Sequence, residues 1–195
     1  AAQLAYQDAQ FGRIMDELNR MGLADNTLVI FIEGDNGSSA EGARTGTVNE
    51  LADFTSSGGH DIDIPWLAEN LDVLGGPETF QGFQSGWTYA TNAPFPWFKQ
   101  LASHLGGVRN GMVVSWPARI KEQGELRPQY HHVIDVLPTL LEVIGLSVPN
   151  TVDGVAQQAI NGVSMAYSFD NADKPSPRHT QYYEVHGNRA IYHDG

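Results

Sequence analysis

Apolar residues recur at helical spacing through the first twenty positions. Leu4, Phe11, Ile14, Met15 and Leu18 fall toward one side of a helix over 4–21, with Asp8, Asp16, Glu17 and Arg20 elsewhere. Gly22 suits the residue that closes such a helix in the left-handed conformation. Asp25-Asn26 then turns the chain into Thr27-Leu28-Val29-Ile30-Phe31-Ile32, an apolar run without polar alternation. A strand of that kind is buried on both faces. A long helix leading into it predicts an α/β fold with a mostly parallel sheet flanked by helices.

The periodicity fades from Ser38 to Pro96. Small polar residues and glycines dominate, and a loop region this long inside a compact domain is usually functional or disordered. Phe80, Phe83, Trp87, Tyr89, Phe95, Trp97 and Phe98 crowd its second half, either as a pocket wall or as the cover of a helix face. Regular pattern returns at "WFKQLASHLGGVRNG", which predicts a short helix stopped by Gly106-Gly107. "MVVSWP" (112–117) predicts a second apolar strand ended by Pro117. "HHVIDVLPTLLEVIGL" (131–146) predicts an amphipathic helix with Pro138 near its first turn and Gly145 closing it. A surface run over 147–178 carries a short helical piece near 164–169. "TQYYEVHGNRAIYH" (180–193) predicts an antiparallel hairpin about His186-Gly187-Asn188.

Composition narrows the function classes. The 195 residues are 41% hydrophobic and 17% charged, as in a globular domain with a real core. The formal net charge of −12, without a Lys/Arg cluster, argues against nucleic acid or an anionic membrane as partner. No run approaches the length of a membrane span. There is no cysteine, which removes disulfides, thiolate metal sites and a cysteine nucleophile from this chain. The opening "AAQLAYQ" lacks an initiator Met and reads as the inside of a helix, so the chain is expected to be a fragment of a longer polypeptide.

The end of the first strand carries the most suggestive chemistry. After Ile32 come Glu33, Gly34, Asp35, Asn36 and Gly37. Gly34 and Gly37 let the strand break, so that Asp35 and Asn36 need not point to opposite faces. Ligands of α/β folds sit outside the carboxyl ends of strands, where this pair lies. A carboxylate and an amide oxygen form a hard-oxygen donor set suited to Ca²⁺ or Mg²⁺. An ordinary Asp-Asn-Gly turn is the competing reading. His131 and His132 diverge by about 100° at a helix start and read as capping or packing groups. His60, Asp61 and Asp63 read as a polar loop after Gly58-Gly59. His186 and His193 read as surface groups of the hairpin.

The order of these features resembles the type I sulfatases of the alkaline-phosphatase superfamily. "GRIMDELNRMGLADNTLVIFIEGDNG" is similar to the approach to that family's second metal motif, and bacterial arylsulfatases carry Gly-Asp-Asn-Gly-Ala-Ser-Ala-Glu-Gly there. "WFKQLASHLGGVRNGMVVSWPARI" resembles the family's lysine segment, "HHVIDVLPTLLEVIGL" its Asp-x-x-Pro-Thr helix, and "GNRAIYHDG" its C-terminal strand region. The resemblance covers essentially the whole chain. It implies an alkaline-phosphatase-like fold, with residues 1–195 as a single partial domain. That domain would comprise a helix-strand-metal loop (1–37), pocket or insertion loops (38–96), the lysine segment with a strand and helix (97–146), and C-terminal loops with the hairpin (147–195). It implies that Asp35 and Asn36 are calcium ligands, that Lys99 contacts the sulfate and its leaving oxygen, and that His104 matches a position often held by His. Lys99 stands five residues before His104, where many members have four.

The family's nucleophile is a formylglycine made from Cys or Ser in Cys/Ser-x-Pro-x-Arg. "KPSPRH" (174–179) does not supply it, because counting back from Arg178 puts Lys174 at the nucleophile and Ser176 at the proline. The resemblance therefore implies the C-terminal part of a catalytic domain. The nucleophile and the first metal motif would lie in the remainder of the parent chain, the substrate would be a small sulfate ester, and the isolated fragment would be inactive and prone to self-association. A bacterial cytoplasm and periplasm are both compatible with it. Two other functions stay open on the residues: a phosphate or phosphonate monoester hydrolase of the same superfamily, and a non-catalytic cation- or glycan-binding module using the aromatics of 80–98.

Overall fold

The computed structural model describes residues 2–34, 36–51 and 64–195. It separates into two compact units, Ala1–Phe31 with Met112–Thr180 and His193–Gly195, and Ile32–Gly111 with Gln181–Tyr192.

The first unit opens with helix α1, Ala2–Arg20. It ends as its sequence demands: Gly22 adopts φ 70°, the Gly22 amide donates to the Asn19 carbonyl and the Leu23 amide to the Leu18 carbonyl, both at 3.0 Å. The helix buries none of its residues fully. Phe11 packs on Phe31 with ring centroids 4.8 Å apart, while Leu4, Tyr6 and Ile14 stay exposed. Strand β1, Val29–Ile32, pairs with β2, Met112–Ser115. Asn26 and Asp25 brace the strand that follows them in space: Trp116 Nε1 donates to Asn26 Oδ1 at 3.1 Å and the Ala118 amide to the Asp25 carbonyl at 2.7 Å. Met165, Ala166 and Phe169 form the buried core of this unit, and Leu28, Met112, Val114, Trp116, Val136 and Val143 pack against it. They come from a single turn of 3₁₀ helix, Ala166–Ser168, and its flanks.

One buried carboxylate organises the rest of the unit. Asp135 is 1% exposed and ends the 3₁₀ turn Val133–Asp135, which leads into helix Val136–Val143. Its Oδ2 accepts from the His132 amide at 2.8 Å and its Oδ1 from the Val163 amide at 2.8 Å. Arg178 closes on both oxygens, with Nε 3.2 Å from Oδ2 and Nη2 against Oδ1. The Asp135 carbonyl accepts from Thr139 Oγ1 at 2.6 Å, and that hydroxyl accepts from the Met165 amide at 2.8 Å. Two distant stretches, 163–165 and the one holding Arg178, are thereby tied to one helix start. Pro138 lies in the first turn as expected, and Gly145 (φ 71°) closes the helix with the Leu146 amide 2.9 Å from the Leu141 carbonyl. His132 accepts from the Ile134 amide at 3.3 Å as a cap, and His131 lies against Tyr167. Burial, first of all, holds both imidazoles below the ordinary histidine value. The capping and packing reading of this pair stands.

In the second unit, helices Ile64–Glu69 and Ser85–Asn92 and the bridges Thr47↔Gly82 and Asn49↔Phe80 give order to part of the stretch expected as loop. Strands Thr180–Val185 and Asn188–His193 form the expected hairpin. His186 and Gly187 turn it at φ 50° and 82°, the left-handed pair that a two-residue hairpin loop requires.

Two expectations need correction. The described residues hold three two-stranded sheets, the third being Thr151–Val152 with Val155–Ala156, antiparallel; the broad parallel sheet is not among them. The fold is mixed α/β at that coarser level. The segment after Trp97 is not a helix stopped by glycines. Trp97 and Gln100 sit at φ 67° and 77°, which no α-helix tolerates, and the only helical turn there, Leu105–Val108, contains Gly106-Gly107. No helix among the described residues is long and apolar enough to cross a membrane.

Removing one partner of a buried pair strands the other charge, at a cost of about 3–5 kcal/mol. Asp135→Ala should therefore lower unfolding stability by about that much, read as a shifted urea midpoint.

Candidate functional site

The stretch after β1 is held by contacts to backbone. The Gly37 amide donates to the Gly107 carbonyl at 3.4 Å, and a Cβ on Gly37 would collide with the Gly106 carbonyl. A Cβ on Gly106 would in turn strike the carbonyls of Pro96 and Trp97. These glycines are needed for close approach of three backbone segments. Asn92, the last residue of helix Ser85–Asn92, ties the same segments: its Nδ2 donates to the Trp97 carbonyl at 2.8 Å and the Gly106 carbonyl at 3.0 Å, and its Oδ1 accepts from the Ser38 amide at 3.3 Å. The Lys99 amide donates to the Ser38 carbonyl at 3.1 Å. Buried Thr88 donates its hydroxyl to the Ser39 carbonyl at 2.6 Å.

That framework places the candidate residues as follows. Asp35 lies outside the described residues, as do His60, Asp61 and Asp63. Asn36 is exposed at the start of the packed loop. Lys99 reaches that loop from the other side and ion-pairs with Glu41, Nζ to Oε1 2.6 Å. His104 shares a 2.9 Å hydrogen bond between its Nδ1 and Ser103 Oγ, and its ring lies 5.7 Å from that of Trp97. Trp97, Phe98 and Tyr89 form a mutually packed aromatic group, with Trp97 5.9 Å and Phe98 5.5 Å from Tyr89. The aromatics of 80–98 divide into two groups. Some pack together around helix Ser85–Asn92, while Phe80, Phe83 and Trp87 remain exposed.

Glu41 is the residue that sequence reasoning passed over. Its signal was present, as a single acid inside Gly37-Ser38-Ser39-Ala40-Glu41-Gly42, a loop otherwise of small residues. Its second oxygen, Oε2, accepts from Ser39 Oγ. Burial pushes the Glu41 carboxyl up, but the hydrogen bonds from Lys99 and Ser39 and the Lys99 charge outweigh it and hold the group below the ordinary glutamate value. Arg178, weighed in the sequence only as the arginine of "KPSPRH", is committed to Asp135 in the first unit.

Among the described residues, no group of three or more His, Asp or Glu is placed to hold a metal ion. What the loop offers is oxygen chemistry beside one ammonium. The family model of the sulfatases matches residues 1–146. The chain is 28% identical over 151 residues to an arylsulfatase of Klebsiella aerogenes, an alignment covering 77% of this chain and 29% of that protein. It is 30% identical over 149 residues to an uncharacterized sulfatase of Schizosaccharomyces pombe, covering 76% and 25% respectively. The chain thus spans under a third of the length of these relatives.

A depressed carboxyl makes a pH prediction with a definite sign. The stabilisation from Glu41 is fully present above the unfolded-state pKa of a glutamate and is lost as pH falls through its lower folded value. Urea unfolding of wild type and Glu41→Gln should therefore differ near neutrality and converge as the solution is acidified below the ordinary glutamate range.

Proposed function

The chain belongs to the sulfatase family, and on that premise we propose that it is the part of an arylsulfatase that supplies half of a divalent-cation site and the leaving-group lysine. The observation that supports this most directly is Lys99. An ammonium is anchored, through Ser38 and Glu41, to the same loop that Asn36 begins. A sulfate ester is anionic and releases a charged oxygen, so a site for it needs positive charge at the sulfate and at that oxygen.

The donor set fits a hard cation. The Asn36 side-chain oxygen and the Asp35 carboxylate would hold Ca²⁺ or Mg²⁺, which when bound orients sulfate oxygens and draws off their charge. Two donors are far short of the six to eight that calcium takes, so the remaining ligands belong to other parts of the parent polypeptide. The pattern Ser-x-Pro-x-Arg does occur, at Ser115-Trp116-Pro117-Ala118-Arg119, but Ser115 there is the last residue of strand β2 and Arg119 pairs with Asp170, so no formylglycine is assigned to it. The chain has no cysteine, and Arg178, the arginine of "KPSPRH", is buried against Asp135. No step is assigned to a nucleophile of this chain.

Lys99 acts as the S–O bond to the phenol breaks. The sulfuryl group would pass to a nucleophile that this chain does not supply, the bonding pair stays on the leaving oxygen, and the Lys99 ammonium donates a hydrogen bond to that oxygen. The two N–H groups not pointed at Glu41 are the ones free in direction for this. His104, held by Ser103 and the face of Trp97, is the second polar group of the same segment and would contact the sulfate.

The test uses a chromogenic aryl sulfate with calcium present. The 195-residue chain alone should show no turnover. The parent polypeptide should hydrolyse the ester, and Lys99→Ala in it should lose about a hundredfold in kcat, the scale of one transition-state charge donor. A parent that cleaves phosphate monoesters and spares aryl sulfates would overturn the reading. Calorimetry on the isolated chain should find calcium binding no tighter than about millimolar, as an incomplete oxygen shell implies. Micromolar binding that disappears in Asp35→Ala would mean the chain completes a cation site by itself.

A further inference from the structure

We propose that Glu41 is the positioning residue for Lys99, the carboxylate that aims its ammonium at the leaving oxygen; this rests on the sulfate-ester reading above. An ion pair on a protein surface is usually worth little, because two long side chains must give up freedom to meet in a strongly screening solvent. This pair differs in its surroundings. The Glu41 side chain is only 15% exposed and that of Lys99 32%. Neither oxygen of Glu41 is left to wander, since Lys99 Nζ lies 2.6 Å from Oε1 and Ser39 Oγ donates to Oε2. Gln100 Nε2 lies 3.5 Å from the same Oε1.

The carboxylate is thus part of a rigid frame. Ser39 is fixed through its carbonyl by Thr88, which is fully buried, and Lys99 is fixed through its own amide to the carbonyl of Ser38. Lys99 is therefore held at both ends by one loop, by its backbone at Ser38 and by its ammonium at Glu41. A lysine on a free four-carbon stem would sample many rotamers, and this one is restricted before substrate arrives. The left-handed backbone at Trp97 and Gln100, on either side of Lys99, is what sends its side chain back toward the loop instead of along a helix face.

A carboxylate beside a site for an anion weakens binding in the ground state. It is useful only if placement of the ammonium is worth more in the transition state, where the leaving oxygen takes up charge. That difference gives the inference a signature beyond simple loss of activity. If Glu41 aims Lys99, its removal must hurt most where the leaving group most needs the lysine.

The experiment uses the parent polypeptide, wild type and with Glu41→Gln or Glu41→Ala, in two measurements. The first is the acetylation rate of each lysine amine by an activated ester, resolved by peptide mass spectrometry. Lys99 should react about two- to fivefold faster in the variants, the range expected for release of one partly exposed ion pair, while Lys121 and Lys174 are unchanged. The second is kcat and KM for a series of substituted phenyl sulfates. The variants should lose about tenfold in kcat for unsubstituted phenyl sulfate and much less for 4-nitrophenyl sulfate, with KM unchanged or lowered. An unchanged Lys99 labelling rate would overturn the inference, as would an equal loss across all leaving groups. If Glu41→Ala unfolds, all three lysines speed up together and the isosteric Glu41→Gln carries the test. A wild-type parent without sulfate-ester turnover would instead sink the functional reading, and it would do so before any variant is compared.

Discussion

The candidate site depends on one contact between backbones. The Gly37 amide meets the Gly107 carbonyl with no side chain able to stand between them, since a Cβ on Gly37 would occupy the place of the Gly106 carbonyl. From that contact the rest follows by short steps. The loop after Asn36 lies flat on the turn that contains Gly106, Asn92 stitches both to the carbonyl of Trp97, and Ser38 presents its own carbonyl to the amide of Lys99. Only then is Glu41 within reach of the lysine. Glycine contributes here by what it lacks. Its backbone freedom costs conformational entropy, and the close approach it permits offsets that cost only because a site is built on it.

The first unit solves a similar problem of joining distant stretches by the opposite means, with a buried charge. Asp135 gathers the His132 and Val163 amides and the Nε–Nη2 edge of the Arg178 guanidinium. Thr139, one turn on, extends the same cluster to Met165 and so to the apolar core. This gives a physical reason for the Asp-x-x-Pro-Thr pattern. The acid accepts from the His132 amide three residues back and so anchors the turn that starts the helix, the proline fits a first turn in which its missing N–H is no loss, and the threonine hydroxyl lies over the acid's own carbonyl. A buried pair of this kind is weak evidence for extra stability over an apolar pair of the same volume. Its value is in specifying which segments meet.

What could be read in the sequence follows from how local each feature is. Helix α1, its glycine stop, strands β1 and β2 and the terminal hairpin were all legible, because periodicity and turn chemistry act within a few residues. The two ion pairs were not. Lys99 meets Glu41 across 58 positions and Arg178 meets Asp135 across 43, and no periodicity records such a meeting. The helix expected after Trp97 failed for the same reason. Leu101, Ala102 and Leu105 have helical spacing, but tertiary contacts of the glycine turn force Trp97 and Gln100 into left-handed backbone. The resemblance singled out Lys99 without revealing that Glu41 and the Ser38 carbonyl are what the lysine meets. The broad parallel sheet was inferred from a single helix-strand unit, and the described residues hold only two-stranded sheets.

An acidic chain proposed to act on an anion looks contradictory until charge is considered locally. The net charge of −12 is a property of 23 acids against 11 bases. Several of those bases are already committed elsewhere: Arg178 to Asp135, Arg127 to Glu122, Arg20 to Glu17 and Arg119 to Asp170. A substrate sulfate feels charges within about 10 Å far more than the sum over the surface, because salt screens the rest. Few cations are needed if they are fixed in direction, and fixing them takes partners. That is why the one lysine of the candidate site sits beside a carboxylate. On the proposed function, the pair would give up some attraction for the incoming anion, and in return the ammonium would already be oriented when the S–O bond breaks. Without a second cation the exchange would leave the sulfate poorly held. On the function proposed above, Asp35 and Asn36 would answer that need, since a divalent ion held by their oxygens would supply the attraction that Glu41 takes away.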